Sequence, residues 1–260
     1  MCAVRTYDYA RLGPPPGAKV VVAGGCGGIG SAIVEGCVAT GLETYVLDMQ
    51  ATYDAKPCPD GVTFVPMDAH EDESVQQAVA DLGAKTGGVL DAMINLVGAG
   101  NGPAPITELE TWSWDEVISR NLRSAFLICK YTMPLLLKSG DGAVVNTASG
   151  VAYRGVKGVG SYAAAKGGLI SLTKTLAVEN APTVRCNVIA PGGVTNKVKI
   201  VDGEVIGPMG LKTGVTNATI PLGRFADPED IVPAALFLAG PSSAYMTAQV
   251  LQLSGGLVQP

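Results

Sequence analysis

The stretch Lys19-Val20-Val21-Val22-Ala23-Gly24-Gly25-Cys26-Gly27-Gly28-Ile29-Gly30 decides the fold. Val20 to Ala23 is a short apolar run rich in β-branched residues and reads as a strand. The glycines after it permit a tight turn, and residues from about Ile29 to Thr40 read as a helix. A glycine loop that follows a strand and opens a helix lets a pyrophosphate approach backbone N–H groups at the helix N-terminus. Two registers fit the loop: Gly25-x-Gly27-x-x-Gly30 and Gly24-x-x-x-Gly28-x-Gly30.

Outward from this unit, strands and helices alternate. Strands are expected at Thr44–Leu47, Thr63–Pro66, Val89–Ile94, Ala143–Thr147, Val184–Ile189 and Val250–Leu253. Helices are expected at Glu71 to about Lys85, at about 160–180 and at about 228–239. A long helix over about 112–137 is expected to be interrupted by Pro134. The strands are unbroken apolar runs, so both faces of the sheet are covered. This predicts a single α/β domain, a doubly wound parallel sheet of Rossmann type with helices on both faces. The domain spans 19–260, after a tail at 1–18 that ends in Pro14-Pro15-Pro16-Gly17. Residues 193–222 lack periodicity and are rich in glycine and proline, which predicts a substrate lid. Ligands of such sheets bind beyond the carboxyl ends of the strands, where Asp48, Asp68, Asn95, Ser149 and Pro191 fall.

Composition narrows the classes. At 47% hydrophobic and 16% charged residues, the chain can bury a sizeable core. A net charge of −5 without a basic cluster argues against a nucleic-acid surface. No run reaches the ~18 apolar residues of a membrane span, and the N-terminus has no apolar signal core. Cys2, Cys26, Cys37, Cys58, Cys129 and Cys186 form no Cys-x-x-Cys pair, so reduced thiols and a cytoplasmic location are expected. The lone histidine, His70, cannot build a His-rich metal site, and no metal is expected.

Asp48 ends the second strand, eighteen residues after Gly30. A carboxylate there accepts hydrogen bonds from the adenosine ribose and repels a 2′-phosphate. The loop also lacks Arg and Lys, so NAD is expected rather than NADP. Asp68 follows the third strand, where an adenine contact and a helix-cap or turn role look alike. In Ser161-Tyr162-Ala163-Ala164-Ala165-Lys166-Gly167-Gly168, Tyr162 and Lys166 are four apart on a helix and share a face, about 6 Å apart along the axis. A nearby ammonium favours the phenolate and moves the phenol toward neutrality, which suits proton exchange with an alcohol or carbonyl. The small residues from Ala163 to Gly168 imply close approach to the helix backbone.

Over residues 19–260 the chain resembles the short-chain dehydrogenase/reductase family. Its Gly-x-x-x-Gly-x-Gly spacing selects Gly24, Gly28 and Gly30, and its Ser, Tyr and Lys set is matched by Ser149, Tyr162 and Lys166, with Ser149 thirteen residues before Tyr162. Its catalytic asparagine maps to Asn121, and Arg185-Cys186-Asn187-Val188-Ile189-Ala190-Pro191-Gly192 matches its strand and turn beneath the nicotinamide. The resemblance implies Tyr162 as general acid and base, Lys166 lowering its pKa and holding the nicotinamide ribose, Ser149 bonding the substrate oxygen, and Asn121 holding a water that links Lys166 to solvent. It also implies cofactor contacts at Ile29, Met49, Asp68, Ala69, Asn95, Val97, Pro191, Gly192 and Val194, besides the glycines, Asp48, Tyr162 and Lys166.

The chain departs from the family pattern at Ala23, Leu96 and Asn196, and at Ala248 and Ser254, which replace the family's usual Gly and Asp of the last strand and turn; these departures bear on the fine geometry and stability of cofactor binding. The expected activity is hydride transfer between NAD(H) and a secondary alcohol or ketone. Alternatives are a 3-oxoacyl reductase of fatty-acid type using NADPH, and a non-catalytic NAD-binding sensor. Val97, Val151, Tyr153 and Met209 are candidate substrate residues. Arg154 and Lys157 are candidates for an anionic group, with solvated loop charge as the plainer reading. A dimer or tetramer is expected through residues 112–137 and 161–180, with Leu257 and Val258 packing at another interface.

Overall fold

Val21 and its neighbours Val20 and Val22 point to opposite faces of their strand, as pleating requires, and both faces are buried. That double burial is repeated along a parallel sheet and explains the unbroken apolar runs. The computed structural model describes residues 8, 10–195, 199–201, 204–206, 215 and 217–258. Among these, seven strands form one sheet: β1 (Lys19–Ala23), β2 (Glu43–Asp48), β3 (Thr63–Pro66), β4 (Ala92–Asn95), β5 (Gly142–Thr147), β6 (Val184–Pro191) and the last strand (Val250–Leu253). The order is β3-β2-β1-β4-β5-β6 and then the last strand, all parallel. The order reverses between β1 and β4, and a crevice opens there at the carboxyl ends.

Val20, Val22, Val46, Ile94 and Val145 face α1 (Gly28–Ala39) and a helix at Val232–Ala239 on one side of the sheet. Val21, Tyr45, Leu47, Met93 and Val144 face the other side, covered by α3 (Asp72–Thr86) and α5 (Ser124–Leu137). The helix α6 (Gly160–Asn180) lies beside them and packs Ile170 near Val188. A short α2 (Gln50–Ala55), which the sequence pattern did not announce, is anchored by Tyr53 stacked on Phe64 at 4.1 Å.

The break in the long helix is not at Pro134. It lies between α4 (Thr111–Ile118) and α5, where Ser119–Arg123 forms a π turn and the Ser124 N–H donates to the Ser119 carbonyl. Pro134 stays inside α5 on its exposed side, where a carbonyl deprived of its donor meets water. The fourth strand starts at Ala92 rather than Val89, because the Asp91 carboxylate turns back to accept from the Lys19 N–H at 2.7 Å. Most of the expected lid lies outside the described residues. Within it β7 (Lys199–Val201) and β8 (Glu204–Ile206) pair antiparallel, so Val250–Leu253 becomes β9 and Val232–Ala239 becomes α7. The end of the tail is docked rather than loose: Pro14 is buried, and a Cβ on Gly240 would lie 2.4 Å from the Gly13 carbonyl carbon. No described helix is long and apolar enough to cross a membrane.

Ala248 enters β9 with φ of 59°, the left-handed region that favours glycine. The family pattern has glycine at this point, and alanine here holds strained backbone. We expect Ala248→Gly to stabilise the fold by about 1 kcal/mol, read as a raised midpoint in urea unfolding with unchanged slope.

Candidate functional site

The turn after β1 is tightest at Gly24, Gly25 and Gly30. Gly24 has φ of 79°, and a Cβ on Gly30 would sit 2.1 Å from the Gly24 carbonyl oxygen. A Cβ on Gly25 would come within 2.8 Å of the Val46 methyls, whereas one on Gly27 would meet ordinary contact at 3.4 Å. Gly24 belongs only to one register and Gly25 only to the other, so the packing leaves both registers open. Asp48 at the end of β2 is pinned beside this loop. One carboxylate oxygen accepts from the Cys26 N–H at 2.9 Å and the other from the Met49 N–H at 2.8 Å. The Met49 side chain is exposed. Cys58 brings its sulfur to 3.8 Å from that of Cys26. Burial, with Cys58 and Asp48 adding to it, pushes the Cys26 thiol up to about 12. Asp68 is exposed and shapes a turn: it accepts from the His70 N–H at 2.9 Å, with Ala69 buried beneath.

Asn95 ends β4, and both ends of its amide are used internally. It donates to Asn146 at 3.0 Å and accepts from the Val97 N–H at 3.0 Å. Asn146 donates onward to Thr173 on α6 at 3.0 Å. Asn95 therefore positions the turn rather than offering a side chain to a ligand. Val97 is turned into the core, and Leu96 lines the crevice in its place. The Asn95 bond holds the Val97 backbone beside the glycine turn, where a Cβ on Gly24 would lie 3.1 Å from the Val97 nitrogen.

Tyr162 and Lys166 share the inner face of α6. The Lys166 ammonium is buried and donates to the Thr147 carbonyl at the end of β5 at 2.8 Å. It stands 5.6 Å from the Tyr162 ring centroid. Ser149, two residues past β5, shares a hydrogen bond with the Tyr162 phenol. Asn121 sits in the π turn, a form common at functional positions. Its amide nitrogen donates to Ala99 at 2.6 Å and Val117 at 2.8 Å, while its oxygen is buried without a partner among the described residues. A Cβ on Gly98 would lie 2.4 Å from that oxygen and 3.0 Å from the Lys166 nitrogen. Gly98 thus leaves open the space between Asn121 and Lys166.

The electrostatics differ from the expectation drawn from the spacing. Burial pushes the Tyr162 phenol up to about 12, and the Ser149 hydrogen bond only partly opposes it. Desolvation is thus the larger influence on the phenol, and the Lys166 ammonium lies beside the ring while donating to the Thr147 carbonyl.

Ser149, Tyr162 and Lys166 line one cavity of about 360 Å³ together with Ile29, Leu96, Pro191, Gly192 and Val194. Val151 lines it as expected. Tyr153 is 40% exposed and takes no part, so that expectation is corrected: the Gly150–Ala152 turn sends its side chain outward. Met209 and Asn196 lie outside the described residues, and the neighbouring Thr195 hydroxyl is bonded to Asp227. Phe225, which lacks any periodic signal, was not expected here and lines this cavity, as do Leu257 and Val258. The Ser254 hydroxyl bonds the Val258 backbone in both directions and folds the C-terminal segment over the site. Among the described residues no group of side chains could hold a metal ion.

Residues 24–258 match the protein family described as enoyl-(acyl carrier protein) reductase. The chain is 34% identical over 248 residues to a 3-oxoacyl-[acyl-carrier-protein] reductase of Chlamydia pneumoniae, covering 93% of this chain and 97% of that one. It is 32% identical to an uncharacterized oxidoreductase of Bacillus subtilis, over 92% and 90% of the two chains. Its fold matches a 3-ketoacyl-(acyl-carrier-protein) reductase from Brucella melitensis complexed with NADH, with a TM-score of 0.82 and 25% identity, over 93% and 98% of the chains. Levodione reductase matches with a TM-score of 0.82 and 26% identity, over 93% of this chain and 98% of its own.

A phenol held near 12 stays protonated throughout the neutral range. In protein without added nucleotide, the difference in tyrosinate absorbance between wild type and Tyr162→Phe is expected to show no step below pH 10. A step between pH 6 and 9 would contradict the burial argument.

Proposed function

The chain belongs to the short-chain dehydrogenase/reductase family, and on that premise we propose that it transfers a hydride between NAD(H) and a secondary alcohol or ketone, with Tyr162 as general acid and base. It is an oxidoreductase of a fold that takes a nicotinamide cofactor. The observation that carries the finer reading is the meeting of Ser149, Tyr162 and Lys166 in one cavity beside the glycine loop.

The residues present fit a dinucleotide. The side-chain-free turn at Gly24 and Gly30 admits a pyrophosphate at the start of α1, and Asp48 is fixed where ribose hydroxyls would donate to it. The space kept by Gly98, with the unpartnered Asn121 oxygen on one side, suits a polar group next to Lys166. A bound nicotinamide supplies the hydride donor or acceptor.

The protein's own groups then handle the oxygen and its proton. Ser149 donates to the carbonyl oxygen and steadies charge that develops there. Tyr162, protonated at neutral pH, delivers its proton to that oxygen during reduction and receives it during oxidation. Lys166 keeps a positive charge beside the ring, which stabilises the phenolate as it forms. Asn121 carries the path onward from Lys166, its amide nitrogen fixed by two carbonyls so that its oxygen faces inward.

A second reading, reduction of 3-oxoacyl thioesters, is supported by the names of the relatives. One of these is described with NADH, which agrees with the Asp48 argument. Association through α4, α5 and α6 is supported by exposed Trp112, Phe126 and Val178.

We expect Tyr162→Phe to fold normally, by circular dichroism, and to lose at least a hundredfold in turnover; turnover within tenfold of wild type would sink the mechanism. Fluorescence titration is expected to give at least tenfold tighter binding of NADH than NADPH, and Asp48→Ser is expected to narrow that gap. Tighter binding of NADPH by wild type would overturn the assignment of NAD.

A further inference from the structure

Arg154 sits on the loop between β5 and α6, half-buried, in the wall of the cavity that holds Ser149 and Tyr162. It makes no hydrogen bond or ion pair with the described residues. Other arginines do: Arg120 pairs with Glu116, Arg123 donates to the His70 carbonyl, Arg185 is held by the carbonyls of Leu238 and Gly240, and Arg224 pairs with Asp230. Among the described residues no aspartate or glutamate lines the cavity, and another cation there, Lys166, is engaged by the Thr147 carbonyl. Lys157, three residues on, is exposed and outside the cavity. The remaining wall near Arg154 is apolar, with Val151, Val156, Val159, Leu257 and Val258.

A guanidinium among apolar walls loses hydration without gaining a counter-charge, an arrangement that favours an incoming anion. Its planar fork matches a carboxylate in a bidentate pair. We infer that Arg154 selects a substrate bearing a carboxylate: a short-chain hydroxy acid in oxidation and the corresponding oxo acid in reduction. This rests on the proposed hydride-transfer reading and deepens it. A single guanidinium balances a monoanion, whereas a phosphate dianion calls for more donors than the wall offers. The cavity also has to admit a nicotinamide, so the acid is small. In oxidation the carbinol C–H bond breaks and its electron pair leaves with the hydride to NAD⁺, which is reduced. Once the phenol has released its own proton to solvent, Tyr162 takes up the hydroxyl proton, and the hydroxy acid becomes an oxo acid. The carboxylate itself is unchanged.

The test compares 3-hydroxybutanoate with its neutral isostere 4-methyl-2-pentanol in oxidation, and 3-oxobutanoate with its N-acetylcysteamine thioester in reduction. Wild type, Arg154→Met and Arg154→Lys are assayed. Wild type is expected to favour each acid by at least about 30-fold in kcat/KM. In Arg154→Met the acid-to-neutral ratio is expected to fall to about one, mainly through KM, with partial recovery in Arg154→Lys. A wild-type preference for the alcohol or the thioester, or an acid preference that survives in Arg154→Met, overturns the inference. Binding is judged separately, with butanoate as a non-reacting probe in the presence of NADH. Butanoate is expected to raise the Tm of wild type and not that of Arg154→Met; equal shifts, or none in either, also overturn it. If no alcohol or ketone is turned over, the hydride-transfer reading fails, while the butanoate arm still decides the anion site.

Discussion

Seven strands that all run the same way must deliver their carboxyl ends to one edge of the sheet. Every group of the candidate site follows from that constraint. Parallel pairing also requires each connection to cross a face, which buries both faces under helices and makes the strands predominantly apolar. The polar side chains buried within them, such as Asn146 and Arg185, are hydrogen-bonded internally, and the polar groups that face the cavity gather where the strands stop. Asp48, Asn95 and Ser149 stand at those stops, and the strand-order reversal between β1 and β4 opens the crevice between them.

The buried ammonium of Lys166 is the costliest group in this arrangement. Its bond to the Thr147 carbonyl ties α6 to the end of β5, and the chain of amides from Asn95 through Asn146 to Thr173 ties the same helix to β4. The two links fix Tyr162 against Ser149. The phenol is not near neutrality because desolvation raises it, and the Ser149 hydrogen bond opposes that only in part. The protein holds a protonated acid, which suits carbonyl reduction directly and makes oxidation depend on drawing the proton away.

Around that proton donor the wall is apolar, with one guanidinium set into it. Apolar walls bind without orienting, so the charged group decides which end of a substrate lies away from Tyr162. The C-terminal segment closes the cavity because Ser254 bonds the Val258 backbone, a role for a hydroxyl where the family pattern has a carboxylate.

Local chemistry was legible in the chain itself. The glycine turn, the four-residue spacing of Tyr162 and Lys166, and the carboxylate at the end of β2 depend on neighbours in sequence, so the class of fold and the candidate proton-handling residues could be read directly. Other features were decided by contacts between distant segments. The inward turn of Val97, the outward turn of Tyr153, and the return of Leu257 and Val258 to the cavity depend on which surfaces meet. So does the protonated state of Tyr162, since desolvation is a property of the whole enclosure. Arg154 shows the division most plainly: in the sequence it is one more loop charge, and only packing reveals that no carboxylate among the described residues lines its cavity.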